Sequence, residues 1–477
     1  MKNLRFFIFI FIFNLSFAES ITNYLSDAPF VLYAPSWKTL NNDVMFLMKK
    51  FYDKNFTQIK AELESQSKAN FGINIFNDKE LDKIGINISK PLAYAHYSND
   101  IGYILIPVKS QKTLSSYLNK NMKDFNYKFF GDYVAIGSNK KLLNDLLKEK
   151  KLLKNDAFNF SLNKLTYKWD KYFLWVDSTF ISDVTKSRGV TESINVPYGF
   201  TFMAYDINNT RANLNIYMGL LSDDQKRFLA SLKQFNATEK INFMDYIPQN
   251  PSVVLVANMN MALLYKYYQF LDKLDILGIR AFANSIEEKY KVSIEKDIFF
   301  NGDGRLRLVF DSFDQNNNKL SAYGVFGLNN VANAKNFINN LNAAILKNNE
   351  KVYSFEMFTY PFYRYPVGSY SVFYGIIEND LVFSTDRDKL TNIVQKIFRK
   401  EGGYLETAPE IIKDSTSKLK PGANIYIDIQ GLLANLRGEL QLNPSFFVNL
   451  KDITLSSSPD DENGYGWNVD VNLYWVK

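Results

Sequence analysis

Residues Gly131–Leu147 (GDYVAIGSNKKLLNDLL) and Asn379–Gln395 (NDLVFSTDRDKLTNIVQ) read as copies of one another. Laid side by side, Asp132 falls on Asp380, Val134 on Val382, Lys141 on Lys389, Leu142 on Leu390 and Asn144 on Asn392. Each copy is a polar turn, a short strand, an N-cap and an amphipathic helix. Ser138 or Asn139 caps one helix and Asp386 the other, offering a side-chain oxygen to the free N–H groups of the first turn. Leu142, Leu143, Leu146 and Leu147 share a helical face, as do Leu390, Ile393, Val394 and Ile397.

The likeness extends well beyond these two stretches. Phe30–Ala34 with a helix to Phe51 matches Val253–Ala257 with a helix to about Leu274. Ile104–Val108 and the helix after it match Tyr323–Leu328 and its helix. Tyr172–Asp177 matches Asn424–Asp428, and the late strands Gly199–Tyr205 and Ala212–Gly219 match Asp452–Ser456 and Trp467–Trp475. Matches that keep their order at a steady offset argue for duplication of one unit. The spacing therefore predicts residues 19–220 and 249–477 as two repeats, with 221–248 a linker containing a helix, Asp223–Lys233. Asn468-Val469-Asp470-Val471-Asn472-Leu473-Tyr474-Trp475 alternates polar and apolar, so one sheet face is wet. That pattern favours antiparallel sheets over a doubly wound parallel one. The expectation is an α+β fold: two tandem, mostly antiparallel sheets, each with helices packed on one face.

The first eighteen residues read as an export signal. Lys2 and Arg5 make a basic start, Phe6–Phe13 an apolar middle, and Ser16-Phe17-Ala18 a cleavage site before Glu19. The apolar run is short of the about 20 residues a spanning helix needs. Nothing later in the chain is long and apolar enough to be a transmembrane helix, so the mature protein is expected in the periplasm, with the extracellular space or cell surface as alternatives. Cleavage removes two of the basic residues and no acid, taking the net charge from +6 to +4. Basic and acidic residues are interspersed, as in Lys148-Glu149-Lys150-Lys151, which is the pattern of solvated helix faces and not of a nucleic-acid footprint. The absence of cysteine closes disulfide bonding, cysteine catalysis and lipid attachment at a cysteine.

The phrases Gly72-Ile73-Asn74-Ile75-Phe76-Asn77 and Gly85-Ile86-Asn87-Ile88-Ser89-Lys90-Pro91-Leu92-Ala93 resemble the glycine–isoleucine–Asx phrases of a functionally unassigned group of exported bacterial proteins with duplicated strand–helix units. The second half keeps a trace in Tyr290–Asp297, without the glycine. The resemblance implies the fold and an envelope address, and it brings no catalytic residues with it.

A search for chemistry finds little. His96 is the single histidine, so no second imidazole exists to build a zinc site, and no nucleophile elbow accompanies it. The S-x-x-K matches Ser65–Lys68 and Ser415–Lys418 lack companion motifs. Gly302-Asp303-Gly304-Arg305 reads as a hairpin turn and Asp460–Gly464 as a solvated turn. No catalytic, cofactor or metal residue is assigned. One stretch exceeds background: Tyr353–Tyr374, crowded with aromatics around the single Arg364. Successive residues of a strand face opposite ways, so Phe362 and Tyr363 cannot both enter a core. Tyr360, Phe362, Tyr363, Arg364 and Tyr365 are accordingly the candidate contact surface, against a reading as ordinary strand residues. The expectation is a non-enzymatic envelope protein that binds an unidentified partner or ligand, with a carboxylate-dependent hydrolase as the alternative and a membrane barrel as the weakest reading.

Overall fold

The computed structural model describes residues 21, 24–52, 55–98, 101–165, 171–177, 180, 199–219, 223–235, 251–263, 265, 287–314, 319–368, 370–399, 410, 412, 421–435, 449–459 and 466–476. The predicted signal and its Ala18–Glu19 junction lie outside the described residues, as do Ser415–Lys418 and Asp460–Gly464. The strands are β1 (Phe30–Ala34), β2 (Leu92–Ser98), β3 (Ile101–Pro107), β4 (Asn126–Phe130), β5 (Tyr133–Gly137), β6 (Tyr172–Asp177), β7 (Phe200–Ile207), β8 (Arg211–Gly219) and β9 (Val253–Asn258). They continue as β10 (Gly302–Asp314), β11 (Lys319–Leu328), β12 (Tyr353–Met357), β13 (Tyr360–Val367), β14 (Tyr370–Ile377), β15 (Asp380–Ser384), β16 (Gly422–Asp428), β17 (Leu450–Pro459) and β18 (Gly466–Trp475).

These strands form one antiparallel sheet, and not the two tandem sheets the sequence suggested. Its order is β4-β5-β3-β2-β1-β6-β7-β8-β18-β17-β16-β9-β10-β11-β15-β14-β13-β12. The join is β8 against β18, paired from Gly219–Gly466 to Arg211–Tyr474. Both are long strands with complementary alternation, and pairing removes an edge from each.

Read outward from that join, the strand order is 8-7-6-1-2-3-5-4 one way and 18-17-16-9-10-11-15-14 the other, with β13 and β12 added at the far end. Backbone bonds outside the ladders follow the same order. Asp177 N–H donates to Pro29 O and Asp428 N–H to Ser252 O, each at 2.8 Å. Val108 N–H donates to Asp132 O at 2.7 Å and Leu328 N–H to Asn379 O at 2.8 Å. Those last two bonds correct the alignment by one residue: Asp132 answers Asn379, and Tyr133 answers Asp380. Gly131 and Glu378 then occupy the same turn position, with φ 53° and 49°. The polar identities that suggested the other alignment sit mostly at the surface, where the fold does not hold them to a register.

Among the described residues, the α-helices of six residues or more are α1 (Trp37–Tyr52), α2 (Phe56–Phe71), α3 (Asp78–Lys83), α4 (Gln111–Asn121), α5 (Lys140–Asp145), α6 (Asp156–Leu165), α7 (Asp223–Leu232), α8 (Val331–Lys347), α9 (Arg387–Arg399) and α10 (Ile429–Asn435). Asn139 caps α5 by accepting from Leu142 N–H at 3.0 Å, and Asp386 caps α9 by accepting from Lys389 N–H at 3.2 Å. Helices cover both sheet faces, which corrects the one-sided expectation. Val31 and Tyr33 of β1 pack with Leu143 of α5 and Phe158 of α6, while Leu32 and Ala34 pack with Leu40 of α1 and Leu114 of α4. Across the join, Val254 and Val256 share a core with Leu390 of α9, and Ala257 shares one with Ile338 of α8. Strands buried on both faces carry apolar residues at successive positions, as β1 and β5 do.

Gly302-Asp303-Gly304-Arg305 is no hairpin turn. It opens β10, where Arg305 donates to Asp303 at 2.7 Å and to Asp380 of β15 at 2.8 Å, all three side chains being buried. Burial raises the Asp380 carboxyl to about 6 against the opposing pull of Arg305. Buried charge of this kind is tolerated only when it is paired.

Candidate functional site

β8, β18, β17 and β16 lie side by side, and their alternation turns one set of residues to a single face. Cross-strand pairing arranges that face in three rows. The first is Asn215–Asp470–Ser456–Asn424, the second Asn213–Asn472–Thr454–Tyr426, and the third Arg211–Tyr474–Asp452–Asp428. With strands about 4.8 Å apart and alternate residues about 6.8 Å apart, each row spans about 14 Å. No aliphatic side chain stands among the twelve. The residues between them, such as Leu214, Val471, Leu455 and Ile425, face the other way.

Amides wire the face together. Asn215 donates to Asn213, Asn213 Nδ2 donates to Asn472 Oδ1 at 2.9 Å, and Asn472 donates in turn to Asp470 Oδ1. Such a chain polarises each successive bond. Asp452 accepts from the Tyr426 hydroxyl at 3.1 Å and pairs with Lys451 at 2.8 Å. Burial, and then Asp452, raise the Tyr426 hydroxyl far above its ordinary value and keep it a donor. Asp428 accepts from Gly431 N–H at 2.9 Å in the first turn of α10. Among the described residues, the side chains of Asn424, Thr454 and Ser456 form no hydrogen bond. Asn213, Thr454 and Asn472 are buried, while Asn215, Asn424, Ser456 and Asp470 are half-buried and Arg211 in the third row is exposed, so the middle row is the covered one and the first row is open along its whole length.

The positions that answer these across the join are filled quite differently. With Asp177 set against Asp428, Trp175 answers Tyr426 and Phe173 answers Asn424. Phe200 answers Asp452, Phe202 answers Thr454 and Ala204 answers Ser456, by the pairing of β6 with β7 and of β16 with β17. There the face is an aromatic core: Phe158 of α6 lies 5.3 Å from Phe173 and 5.6 Å from both Trp175 and Phe202, ring centre to ring centre. On one and the same face of the sheet, the β8 side of the join carries a core and the β18 side a polar surface.

The predicted contact residues Tyr360–Tyr365 lie on β13. Phe362 is fully buried in the core beside Val382, and this removes it from any contact surface. Tyr363 is half-buried and stacks on Tyr374 at 5.8 Å, and Tyr365 is tied to Glu350 and to Tyr290 at 2.9 Å. Tyr360 is half-buried against the same core as Phe362. Arg364 is exposed, with its guanidinium 5.7 Å from the Tyr353 ring and its Nε donating to Ser371 at 3.0 Å. The exposed aromatics of this stretch are thus Tyr353 and Tyr370, which the sequence did not single out. His96 lies on β2 with Nδ1 2.9 Å from the Tyr94 hydroxyl and its ring edge-on to Phe180. An apolar cavity of about 40 Å³ lies under α4, between Trp37, Ile75, Ile86, Ile104 and Leu114. Among the described residues no three carboxylates or imidazoles converge as a metal site would require, and no helix is long and apolar enough to cross a membrane.

The polar face was partly visible in the alternation of Asn468–Trp475, which reads as an ordinary wet face until its neighbours in space are known. No family model matches the chain, and no curated protein matches it. Solved structures of TP0453 are similar over part of it. Crystal form I matches at 10% identity and a TM-score of 0.24, covering 44% of this chain and 83% of that one. Crystal form IV matches at 11% and 0.25, covering 48% and 88%. Likeness at that level assigns neither family nor role.

Proposed function

We propose that this is an exported, non-enzymatic binding protein of the cell envelope, periplasmic after loss of residues 1–18, built from two copies of one α+β unit. The observation that carries the binding reading is the contrast near the join. Positions that form an aromatic core in β6 and β7 are occupied in β16 and β17 by Asn424, Tyr426, Asp452, Thr454 and Ser456. Giving up a core costs stability, and polar groups so arranged need partners. A ligand that meets them would offset that loss. The matching strand order on the two sides of β8–β18 supports the duplication. Arg364 over Tyr353 is a second, smaller contact point at the far edge of the sheet.

A carboxylate hydrolase remains the competing reading, because Asp428 and Asp452 face each other across β16 and β17. Asp428 is engaged by the first turn of α10 and Asp452 by Lys451 and Tyr426. Both carboxylates are acceptors held in structural bonds, which suits neither the proton donor nor the nucleophile of glycoside cleavage. The test is a ligand-observed NMR screen of small polar compounds against the wild type and Asn424→Phe, which restores the aromatic found in β6. Binding by the wild type and loss in the folded variant is the expected result. Hits that bind both forms equally would overturn the assignment of the face.

A further inference from the structure

Resting on that reading of the face, we infer that its ligand is a neutral polyhydroxylated molecule, an oligosaccharide. The charge on the face excludes anions. Asp428, Asp452 and Asp470 stand among the twelve residues against Arg211 alone, and Lys451 beside them is already paired to Asp452. A sulfated or phosphorylated ligand would meet three carboxylates at close range, in surroundings where like charges repel more strongly than in water. An apolar ligand would strip water from amides and carboxylates and give nothing back.

A peptide main chain recognises a sheet by adding to its edge. β16, β17, β18 and β8 are interior strands with both edges paired, so their ladder has no free backbone groups to offer. What the face offers instead is side-chain amides, hydroxyls and a carboxylate, each of which can donate and accept or accept twice. Adjacent hydroxyls of a sugar ring present the matching pairs. The chain Asn215–Asn213–Asn472–Asp470 is already ordered by its own bonds, so holding it in place costs little when a ligand arrives. Ser456 and Asn424 extend the open row beyond Asp470. Tyr474 stands half-buried in the third row, where its ring can meet the C–H face of a pyranose, while the Tyr426 ring in the second row packs against the core of Val254 and Val256.

The test is titration calorimetry of the mature protein with chitotetraose and maltotetraose, with a heparin tetrasaccharide and tetralysine as charged probes. Three variants are compared: Ser456→Leu, Asn215→Leu, and Asp470→Asn, which preserves shape. Circular dichroism and melting are recorded for each so that folding failure is recognised. The inference expects a neutral tetrasaccharide to bind at millimolar concentration or below. It expects the affinity to fall by about tenfold or more in the folded variants, about 1.4 kcal/mol. Silence of both neutral sugars, with tetralysine bound and its binding lost in the variants, overturns the saccharide inference and leaves the ligand face standing. Binding of any probe that survives all three folded variants unchanged overturns both, as does silence of all four probes.

Discussion

Asn215 and Asp470 face each other where β8 meets β18, and from that pair the strand order repeats outward in both directions. The pairing registers around the two residues match, since Asn215 pairs with Ala204 of β7 as Asp470 pairs with Ser456 of β17. Polar side chains at this point link the two sides without a shared apolar core on their face.

That linkage has a measurable strength. Asn213→Ala removes the donor to Asn472 and leaves buried acceptors short of a partner, so it should cost about 1–3 kcal/mol. Asn424→Ala, at a half-buried position with no hydrogen bond to another described residue, should stay within about 0.5 kcal/mol. Urea denaturation of the two variants checks the contrast. Equal losses would show that the amide chain adds nothing.

Stability should depend on pH through Asp380. Its carboxyl is raised from 3.8 to about 6 in the folded protein, chiefly by burial. The native state therefore keeps a proton that the unfolded chain has released. Its contribution is fully present below about pH 4 and is lost as the pH rises through about 6, a loss of up to about 3 kcal/mol. Melting curves between these values should show the decline for the wild type and a flatter profile for Asp380→Asn.

The equivalent turns ahead of β5 and β15 invite a reciprocal exchange. Glu378 holds φ 49° where Gly131 holds 53°, and the left-handed region costs a residue with a Cβ about 1–2 kcal/mol. Glu378→Gly should raise stability by about 1 kcal/mol. Gly131→Ala should lower it by at least as much, since its Cβ would come 2.9 Å from the Tyr24 hydroxyl. Chemical denaturation of both variants reads the signs.

In the aromatic stretch, Phe362→Ala should cost about 3–5 kcal/mol, because the ring is fully buried. Tyr353→Ala should change stability by no more than about 1 kcal/mol, its side chain being 47% exposed and in contact with Arg364. A melting shift for Tyr353→Ala as large as that for Phe362→Ala would place Tyr353 in the core.

Local pattern revealed the elements and concealed the contacts between them. The apolar run Tyr133–Gly137, the caps Asn139 and Asp386 and the strand at Asn468–Trp475 were all readable, because propensity, capping and alternation act over a few residues. Pairing of Arg211–Gly219 with Gly466–Trp475 was not readable, since nothing local distinguishes one complementary strand from another. The same limit explains Gly302–Arg305. Two glycines around an aspartate suggest a turn until Asp380, far along the chain, is seen to bind Arg305. Of the candidate face only the strand Asn468–Trp475 was legible, because the face as a whole exists only once four strands are side by side. Phe362 and Tyr363 illustrate the opposite case, where alternation stated that one faces inward and only packing said which.

The β8–β18 pairing brings together segments about 250 residues apart, and this separation sets an order of events. Contacts within β1–β8 close far shorter loops, so they form sooner than the join. A chain still lacking β18 presents β8 as a bare edge, the kind of surface that recruits other chains. Asn213 and Asn215 wet that edge on one face, which slows misassociation while the rest arrives. Refolding should then show two kinetic phases, the slower one reporting on Trp467 and Trp475, whose strand pairs early with β17 and closes the join with β8 last.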